Sequence, residues 1–264
     1  MKRRDKRFLC GLLAAASLAL PAHAAGRTVP VQVDGNLLDA VCTLTDGVTY
    51  VPLRTLLNQI GGWEIEWDSG KKAAVATSEN TRLTADPNTN TVTVNGQEYE
   101  GKVYVQNGRT YVPLRLTANL LGGSAVWDPY LGGAAMTSPD AEYDAMDLYW
   151  LSRIISAESG GESMDGQIAV GNVVLNRVES DEFPDTIPGV IFDRVDAVQF
   201  EPVENGTIYR MPEEESVEAA MQVLGGEDVI GDAMYFYAPA LSEGVWINAN
   251  RTYQETIGCH RFYL

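Results

Sequence analysis

The sequence predicts an α+β protein in two parts: a β-rich half of two repeated βα-type units, and a mainly helical half with a small β-sheet. Three observations predict this division. A 17-residue motif occurs twice within residues 27–138, and an acidic, proline-containing segment follows at 139–147. From residue 148 the apolar residues recur at helical spacing. The length of 264 residues is sufficient for two domains of ordinary size.

Residues 1–24 have the pattern of a secretory signal peptide. Five basic residues precede an apolar stretch from Phe8 to Leu20, and an A-x-A cleavage motif ends at Ala24. The apolar stretch is too short for a permanent membrane span, so we expect no membrane anchor after cleavage. This pattern predicts an exported protein.

The charge and the scarce residue types exclude several classes of function. The chain has 19 Lys and Arg against 36 Asp and Glu, a net charge of −17 that becomes −21 without residues 1–24. Such an acidic chain lacks the basic surface that nucleic acid requires. Beyond residue 24 it keeps only His260, Cys42 and Cys259 as His or Cys residues, without an H-E-x-x-H motif or EF-hand spacing, so we expect no metal and no cofactor. The alternative is weak bridging by Ca²⁺ or Mg²⁺ at the acidic surface. We also expect no disulfide within one chain, because the two cysteines lie in different halves.

The repeated motif predicts the same short elements twice. The sequence DGVTYVPLRTLLNQIGG at 46–62 returns as NGRTYVPLRLTANLLGG at 107–123, and each copy then reaches Trp-Asp, at 67–68 and 127–128. In each copy, Asp-Gly or Asn-Gly predicts a hairpin turn, Tyr-Val a strand, and Pro-Leu-Arg a helix that Gly-Gly ends. A further hairpin is predicted by TVTVNG at 91–96.

On this doubled pattern, residues 29–138 resemble the copper amine oxidase N-terminal-like domain. The resemblance implies a non-catalytic stalk or adhesion domain, placed by us at 27–138, that holds the second half near other components of the cell envelope. It implies no copper chemistry, because a copper amine oxidase site uses three histidines and residues 25–259 contain none. We interpret 139–147 as a solvated linker.

Glu158 is the candidate catalytic residue of the second half. Asp147 is a suitable N-cap for a helix whose apolar stripe includes Leu151 and Ile154, and Glu158 continues that stripe up to the glycines that end the helix. Burial at this position raises the pKa of a carboxyl, as a general acid near neutral pH requires. The alternative is a surface glutamate at a frayed helix end.

The rest of this half is predicted to form two more helices and several strands. Ser163 is expected to cap a buried central helix, and the glutamates at 213–215 to open a third helix that Gly225 ends. Strands are predicted at 233–237, at 245–246 and at 256–263.

Short motifs in this half occur in the order and spacing of a known family. They are AESGGE (157–162), GQIAV (166–170), VVLNRV (173–178), FP (183–184), VI (190–191), QF (199–200), AMYFY (233–237) and IGCH (257–260). On these motifs residues 148–264 resemble the SleB/CwlJ-type cell wall hydrolases, which are related to lytic transglycosylases. The resemblance implies a lysozyme-like catalytic domain that cleaves peptidoglycan glycan strands after N-acetylmuramic acid, with Glu158 as its acid.

The resemblance also implies a set of substrate-binding residues, for each of which a purely structural role is an equal alternative. They are Glu162, Gln199, Phe200, Tyr235, Tyr237 and His260. The sequence departs from the family at Cys259, where asparagine is common, and in its repeat domain, which replaces the usual peptidoglycan-binding domain. Spore cortex and vegetative cell wall therefore both remain possible substrates.

Other enzyme classes fit less well. Cys259 and His260 are neighbours in a predicted strand, where their side chains would point to opposite faces, and no complete G-x-S-x-G motif surrounds Ser163. The remaining alternative is a catalytically inactive wall-binding or structural envelope protein.

Glu162 and Asp165 are poor candidates for the second carboxylate of a hydrolase. The resemblance offers a route with Glu158 alone, and it implies a product that ends in 1,6-anhydro-N-acetylmuramic acid.

Overall fold

The computed structural model describes residues 26–195 and 198–264, so the predicted signal peptide lies outside the described residues. The first half contains two short helices, α1 (Leu53–Ile60) and α2 (Leu114–Leu121). Its strands are β1 (Arg27–Val29), β2 (Val31–Val33), β3 (Asn36–Leu37), β4 (Cys42–Thr45), β5 (Val48–Pro52), β6 (Glu64–Asp68), β7 (Ala73–Thr77), β8 (Arg82–Asp86), β9 (Thr91–Val94), β10 (Gln97–Glu100), β11 (Tyr104–Gln106), β12 (Arg109–Pro113), β13 (Ser124–Asp128) and β14 (Gly133–Thr137).

These strands form three sheets, in the orders β1-β4-β5-β12-β11, β10-β9-β8-β7-β6 and β13-β14-β2-β3. The predicted hairpin turns are confirmed. Asp46 and Gly47 both have positive φ, 51° and 79°, and Asn107 and Gly108 repeat this with 51° and 73°. Two consecutive residues with positive φ define the two-residue turn that matches strand twist, which explains the Asn-Gly and Asp-Gly sequences.

The two copies of the motif meet at the centre of the first sheet. Strand β5 of the first copy pairs antiparallel with β12 of the second, so that Val51 lies opposite Val112. Each helix follows its strand directly after the prolines Pro52 and Pro113, as the motif predicts. The buried side chains of α1 and α2 pack in one apolar core with those of the sheets. The β-rich half of two βα-type units is therefore confirmed.

The second half is mainly helical. Its helices are α3 (Ala145–Ser159), α4 (Met164–Glu179), α5 (Ile187–Ile191), α6 (Glu201–Asn205), α7 (Glu214–Leu224) and α8 (Val245–Asn250), with a 3₁₀ turn at Thr207–Tyr209. Its strands are β15 (Tyr235–Tyr237), β16 (Tyr253–Ile257) and β17 (His260–Tyr263), in the sheet order β15-β17-β16. Helices α3, α4 and α7 pack against one another, and α4 is buried along most of its length. The predicted α+β class is confirmed.

Four local predictions are wrong. The predicted linker at 139–147 ends too late, because helix α3 already begins at Ala145, which is buried. Helix α3 is capped by Asp144, whose carboxylate accepts from the backbone N of Met146 and of Asp147, so Asp147 lies in the first turn instead of capping it. Residues 245–246 begin helix α8 and form no strand. Residues 256–263 form the end of one strand, a turn and a second strand, because Gly258 adopts a φ of 55° and lets the chain reverse.

The halves are joined by a buried contact that uses only the second copy of the repeat. Asp128 is fully buried; one carboxylate oxygen accepts from the backbone N of Tyr130 and of Leu131, and the other accepts from Trp150 Nε1 at 2.9 Å. Tyr130 also stacks on Phe192, with ring centroids 4.2 Å apart. In the first copy Asp68 accepts the equivalent two backbone bonds, but at an exposed turn.

Both cysteines are free: Cys42 is buried in the repeat half, and Cys259 is exposed. Within residues 26–195 and 198–264, no helix combines the length and the hydropathy that a membrane span requires.

Candidate active site

Glu158 lies at the last turn of α3, on the wall of a cavity of about 890 Å³. Helix α3 ends one residue later, and Gly160 and Gly161 leave this side of the carboxyl without side chains. The opposite walls come from α6, from the 3₁₀ turn and from the start of α7. Polar residues around the cavity include Ser156, Glu201, Asn205, Arg210, Glu213 and Glu214.

The environment of Glu158 makes its carboxyl a weak acid. Burial raises its pKa from 4.5 to about 7, the negative charge of Glu201 acts in the same direction, and Arg177 opposes both. The protonated form of this carboxyl is therefore much better populated near neutral pH than that of an ordinary glutamate. Such a group can donate a proton and can later accept one, which is the chemistry expected of Glu158. The half-buried position disagrees with the alternative of a freely exposed residue at a frayed helix end.

Arg177 is the main feature of the site that the sequence analysis missed. It projects from α4, is only 5% exposed, and donates from Nε to the carbonyl oxygen of Met234 at 2.8 Å. Burial lowers its pKa to about 10, while the charge of Glu158 is among the influences that oppose this. A buried cation beside the catalytic candidate stabilises the carboxylate that remains after proton transfer. The sequence feature that could have revealed Arg177 is its position as an arginine within the apolar run of α4.

Three of the predicted substrate-binding residues gather around Arg177. Its Nη1 donates to Gln199 Oε1 at 3.4 Å, and its guanidinium carbon lies 5.2 Å from the ring centre of Phe200 and 5.5 Å from that of Tyr235. Phe200 is 2% exposed, so it packs in the core and supports the arginine. Tyr235 also accepts a hydrogen bond from Arg251, which places it between two cations.

The other three predicted residues lie at the terminal sheet. Glu162 Oε2 accepts from the backbone N of Cys259 at 3.0 Å, so its carboxylate fixes the turn between the last two strands. His260 is 6% exposed, contacts the ring of Phe236 edge-to-face, and has its pKa lowered by burial. Tyr237 accepts a hydrogen bond from Asn248 of α8. The structure does not bring these three side chains to the cavity wall beside Glu158.

Cys259 lies in a turn and not in a strand, so the opposite-faces reason against a Cys259–His260 pair no longer holds. A different reason replaces it. The carboxylate of Glu162 raises the pKa of the Cys259 thiol, which disfavours the thiolate that a cysteine nucleophile requires. No group of three His, Cys, Asp or Glu side chains within the described part of the chain is arranged to hold a metal ion.

Glu201 is a second acid that the sequence analysis did not consider. It begins α6, directly after the QF motif, and lines the same cavity as Glu158 although 43 residues separate them in the sequence. Its effect on the pKa of Glu158 shows that the two carboxyls interact. The site therefore has a carboxylate that could take part in a two-acid mechanism, which neither Glu162 nor Asp165 offered.

The fold and this site together define a class: a protein with a β-rich half and a helical half, in which a glutamate of raised pKa lies on a cavity wall of the helical half. Residues 161–263 match the family model described as Cell Wall Hydrolase, and residues 32–130 match the one described as Copper amine oxidase N-terminal domain. Each half therefore matches one of these family models, and both predicted resemblances are confirmed.

Several relatives and solved structures are similar to part of this chain. The spore cortex-lytic enzyme of Oceanobacillus iheyensis is 33% identical over 145 residues, which cover 55% of this chain and 51% of that protein. That of Halalkalibacterium halodurans is 36% identical over 126 residues, covering 48% and 37%. The chain thus spans about half or less of these curated relatives. The solved catalytic domain of the germination-specific lytic transglycosylase SleB from Bacillus anthracis is 36% identical, with 47% of this chain and 98% of that one covered and a TM-score of 0.43.

Proposed function

We propose that this protein cleaves the glycan strands of peptidoglycan between N-acetylmuramic acid and N-acetylglucosamine, with Glu158 as the catalytic acid. The observation that carries the proposal is the position of Glu158: its pKa is raised to about 7 at the end of a helix, on the wall of a cavity of about 890 Å³. A cavity of this size accommodates several sugar units. The cell wall hydrolase domain at 161–263 supports the same substrate class.

The proposed reaction is a transglycosylation that uses Glu158 twice. Its carboxyl first donates a proton to the oxygen that leaves from C1 of N-acetylmuramic acid, and the bond between C1 and that oxygen breaks. The resulting carboxylate, stabilised by Arg177, then takes the proton of the C6 hydroxyl while the C6 oxygen bonds to C1. The product ends in a 1,6-anhydro ring without added water, and Glu158 returns to its protonated form. A pKa near 7 suits both steps.

Hydrolysis is the second candidate, because Glu201 interacts electrostatically with Glu158 across the same cavity. In that reaction Glu201 activates a water molecule or acts as the nucleophile. Mass analysis of muropeptides separates the two. Anhydro ends that are one water lighter and resist borohydride support transglycosylation, whereas reducing muramic ends would require the two-acid reaction.

We further propose that residues 1–24 direct export and that the enzyme works in the cell envelope or spore envelope. Relatives whose names specify spore cortex support a substrate in the peptidoglycan of the wall or cortex. The N-terminal half would hold the enzyme near this polymer. To distinguish cortex from vegetative peptidoglycan as the substrate, each is purified and supplied to the same enzyme, and the initial rates are compared.

The test of the main proposal is the loss of turbidity of purified peptidoglycan. The wild type should clear the suspension, and Glu158→Gln should not. The matched control is Glu179→Gln, which changes an exposed glutamate at the end of α4 in the same half and should clear at the wild-type rate. Equal clearing by Glu158→Gln would exclude Glu158 as the acid. No clearing by the wild type would favour the alternative of an inactive wall-binding protein.

A further inference from the structure

The repeat half has two grooves built from equivalent residues. The larger groove, about 640 Å³, lies between the start of α2 at Pro113–Arg115 and the indole of Trp127, which belong to the second copy of the motif. Its remaining edge includes the hairpin turn of the first copy, residues Gly47–Thr49. The residues that line this groove and those that line the catalytic cavity are different, and they are more than 10 positions apart in the sequence.

The smaller groove, about 230 Å³, repeats this plan with the copies exchanged. The first copy now supplies the start of α1 at Pro52–Arg54 and the indole of Trp67, and the second copy supplies its hairpin turn at Gly108–Thr110. The antiparallel pairing of β5 with β12 explains the exchange, because it places the turn of each copy beside the helix of the other. The two grooves are thus related by an approximate twofold axis.

Each groove presents an exposed tryptophan beside an arginine. Trp127 is 37% exposed and Trp67 is 46% exposed, although tryptophan is usually well buried in a folded domain. Arg115 and Arg54 stand at the matching positions of the two helices. Arg115 also donates from Nε to the carbonyl oxygen of Ala125 at 3.0 Å, and the guanidinium carbon of Arg27 lies 5.4 Å from the ring centre of Trp127. An indole face packs against the apolar face of a sugar ring, and a guanidinium binds carboxylate oxygens in a planar fork. The pair suits a sugar unit that carries an acidic group.

The charge distribution points to the same kind of ligand. Residues 27–138 contain eight basic and 11 acidic side chains, whereas 148–264 contain six basic and 20 acidic side chains. Four of the eight basic residues line the grooves, with only one acid in each, Glu100 and Glu66. The four are Lys102 and Arg115 in the larger groove, and Arg54 and Arg109 in the smaller one. Both grooves are therefore net positive on a protein that otherwise repels anions.

We propose that the two grooves bind uncleaved glycan strands of peptidoglycan, through the sugar rings and the carboxylates that the strand bears. This inference rests on the proposed function, which supplies the polymer. A repeating polymer presents the same unit at regular intervals, so one strand or two neighbouring strands can occupy both equivalent grooves. Occupying two sites on one molecule raises the overall affinity through effective concentration, without any new type of contact.

The experiment measures binding separately from cleavage. The exported chain with Glu158→Gln is sedimented with purified, insoluble peptidoglycan, and the bound fraction is measured over a range of polymer concentrations. Adding Trp127→Ala should weaken binding about tenfold, adding Trp67→Ala about threefold, and adding both should leave little binding. The matched control is Tyr253→Ala, which removes a 53% exposed aromatic from the second half and should bind within twofold of the parent.

A second variant guards against a folding defect. Lys102→Glu reverses one exposed charge at the larger groove, and it should weaken binding at low salt more than at high salt. Unfolding midpoints identify any variant that is not folded. Unchanged binding by the folded Trp127→Ala, Trp67→Ala double variant would overturn the proposal.

Glycan strands freed of their stem peptides by an amidase identify the bound part of the polymer. Retained binding to these strands supports recognition of the sugars, whereas complete loss would show that the grooves bind peptide and would contradict the proposal. Binding is measured with an inactive variant, so the two proposals can fail separately. If the wild type clears peptidoglycan but the inactive variant does not bind it, only the groove proposal fails. If the inactive variant binds but the wild type does not clear, only the proposed cleavage fails.

Discussion

The two halves of the molecule differ in how many charged side chains they bury. Among the described residues, the repeat half buries one charged side chain, Asp128, and this one faces the other half. The helical half buries the charged side chains Arg153 and Arg177, and it holds Glu158 at a strongly raised pKa. Buried charge costs stability, and two of these groups, Arg153 and Glu158, line the same cavity, as is typical of a site that carries out chemistry. The repeat half keeps its cations at the surface, where they remain available to a ligand.

The largest expected effect tests this difference directly. Glu158→Gln should lower the rate of peptidoglycan cleavage by about a hundredfold to ten-thousandfold, because the proton donor is removed. The counterpart in the repeat half, Glu98→Gln, changes an exposed carboxyl of β10 and should leave the rate within twofold of the wild type. Initial rates of both variants are measured on the same peptidoglycan preparation. Comparable losses of rate would contradict the assignment of catalysis to the helical half.

The single buried carboxyl of the repeat half should matter for stability. Asp128→Ala leaves Trp150 Nε1 and two backbone N–H groups without their acceptor, so we expect a loss of about 3 kcal/mol in the free energy of unfolding. Asp68→Ala removes the equivalent turn bonds at an exposed site and should cost less than about 1 kcal/mol. Urea denaturation of both variants compares them. Equal losses would mean that Asp128 acts only within its own turn.

The raised pKa of Glu158 also predicts a dependence of stability on pH. Its folded pKa, about 7, lies above the ordinary value of 4.5, so the folded state favours the proton and loses stability as pH rises from 4.5 through 7. Glu158→Gln removes this loss. The variant should exceed the wild type by up to about 3 kcal/mol at pH 8 and equal it near pH 4. Denaturation at the two pH values measures the difference, and a constant offset would contradict the assigned pKa.

The smallest effect concerns the pH profile of cleavage. Activity should fall as pH rises above about 7, because Glu158 must carry its proton to act as an acid. Glu201→Gln removes a negative charge that raises this pKa, so the falling limb should move to lower pH by about half a unit. The rate over pH 5–9 measures the shift. If the falling limb stays at the same pH, the charge of Glu201 does not affect the pKa of Glu158.

The sequence predicted those features that depend on neighbouring residues. Asn-Gly turns, the prolines before α1 and α2, and the stripe that ends at Glu158 are local patterns, and each is confirmed as structure. Helix α8 was missed because Val245-Trp246 is too short an apolar run to distinguish a strand from a helix. The cap of α3 was misplaced because both Asp144 and Asp147 are suitable residues, and only the folded backbone selects between them.

The candidate site was predicted in part for the same reason. Glu158 follows from helical periodicity, whereas the approach of Glu201 and Arg177 to it depends on the packing of α6 and α4 against α3. No spacing in the sequence encodes that approach. Glu162 stands close to Glu158 in sequence, yet the glycines between them turn the chain, and its carboxylate is directed to the turn at Cys259.

Helix α3 carries both the contact with the repeat half and the proposed acid. Trp150 and Glu158 are eight residues apart on one continuous helix, which corresponds to about 12 Å along its axis. One helix therefore fixes the position of the carboxyl relative to the contact with the repeat half. Together with the stacking of Tyr130 on Phe192, this contact holds the carboxyl at a fixed distance from whatever the repeat half binds.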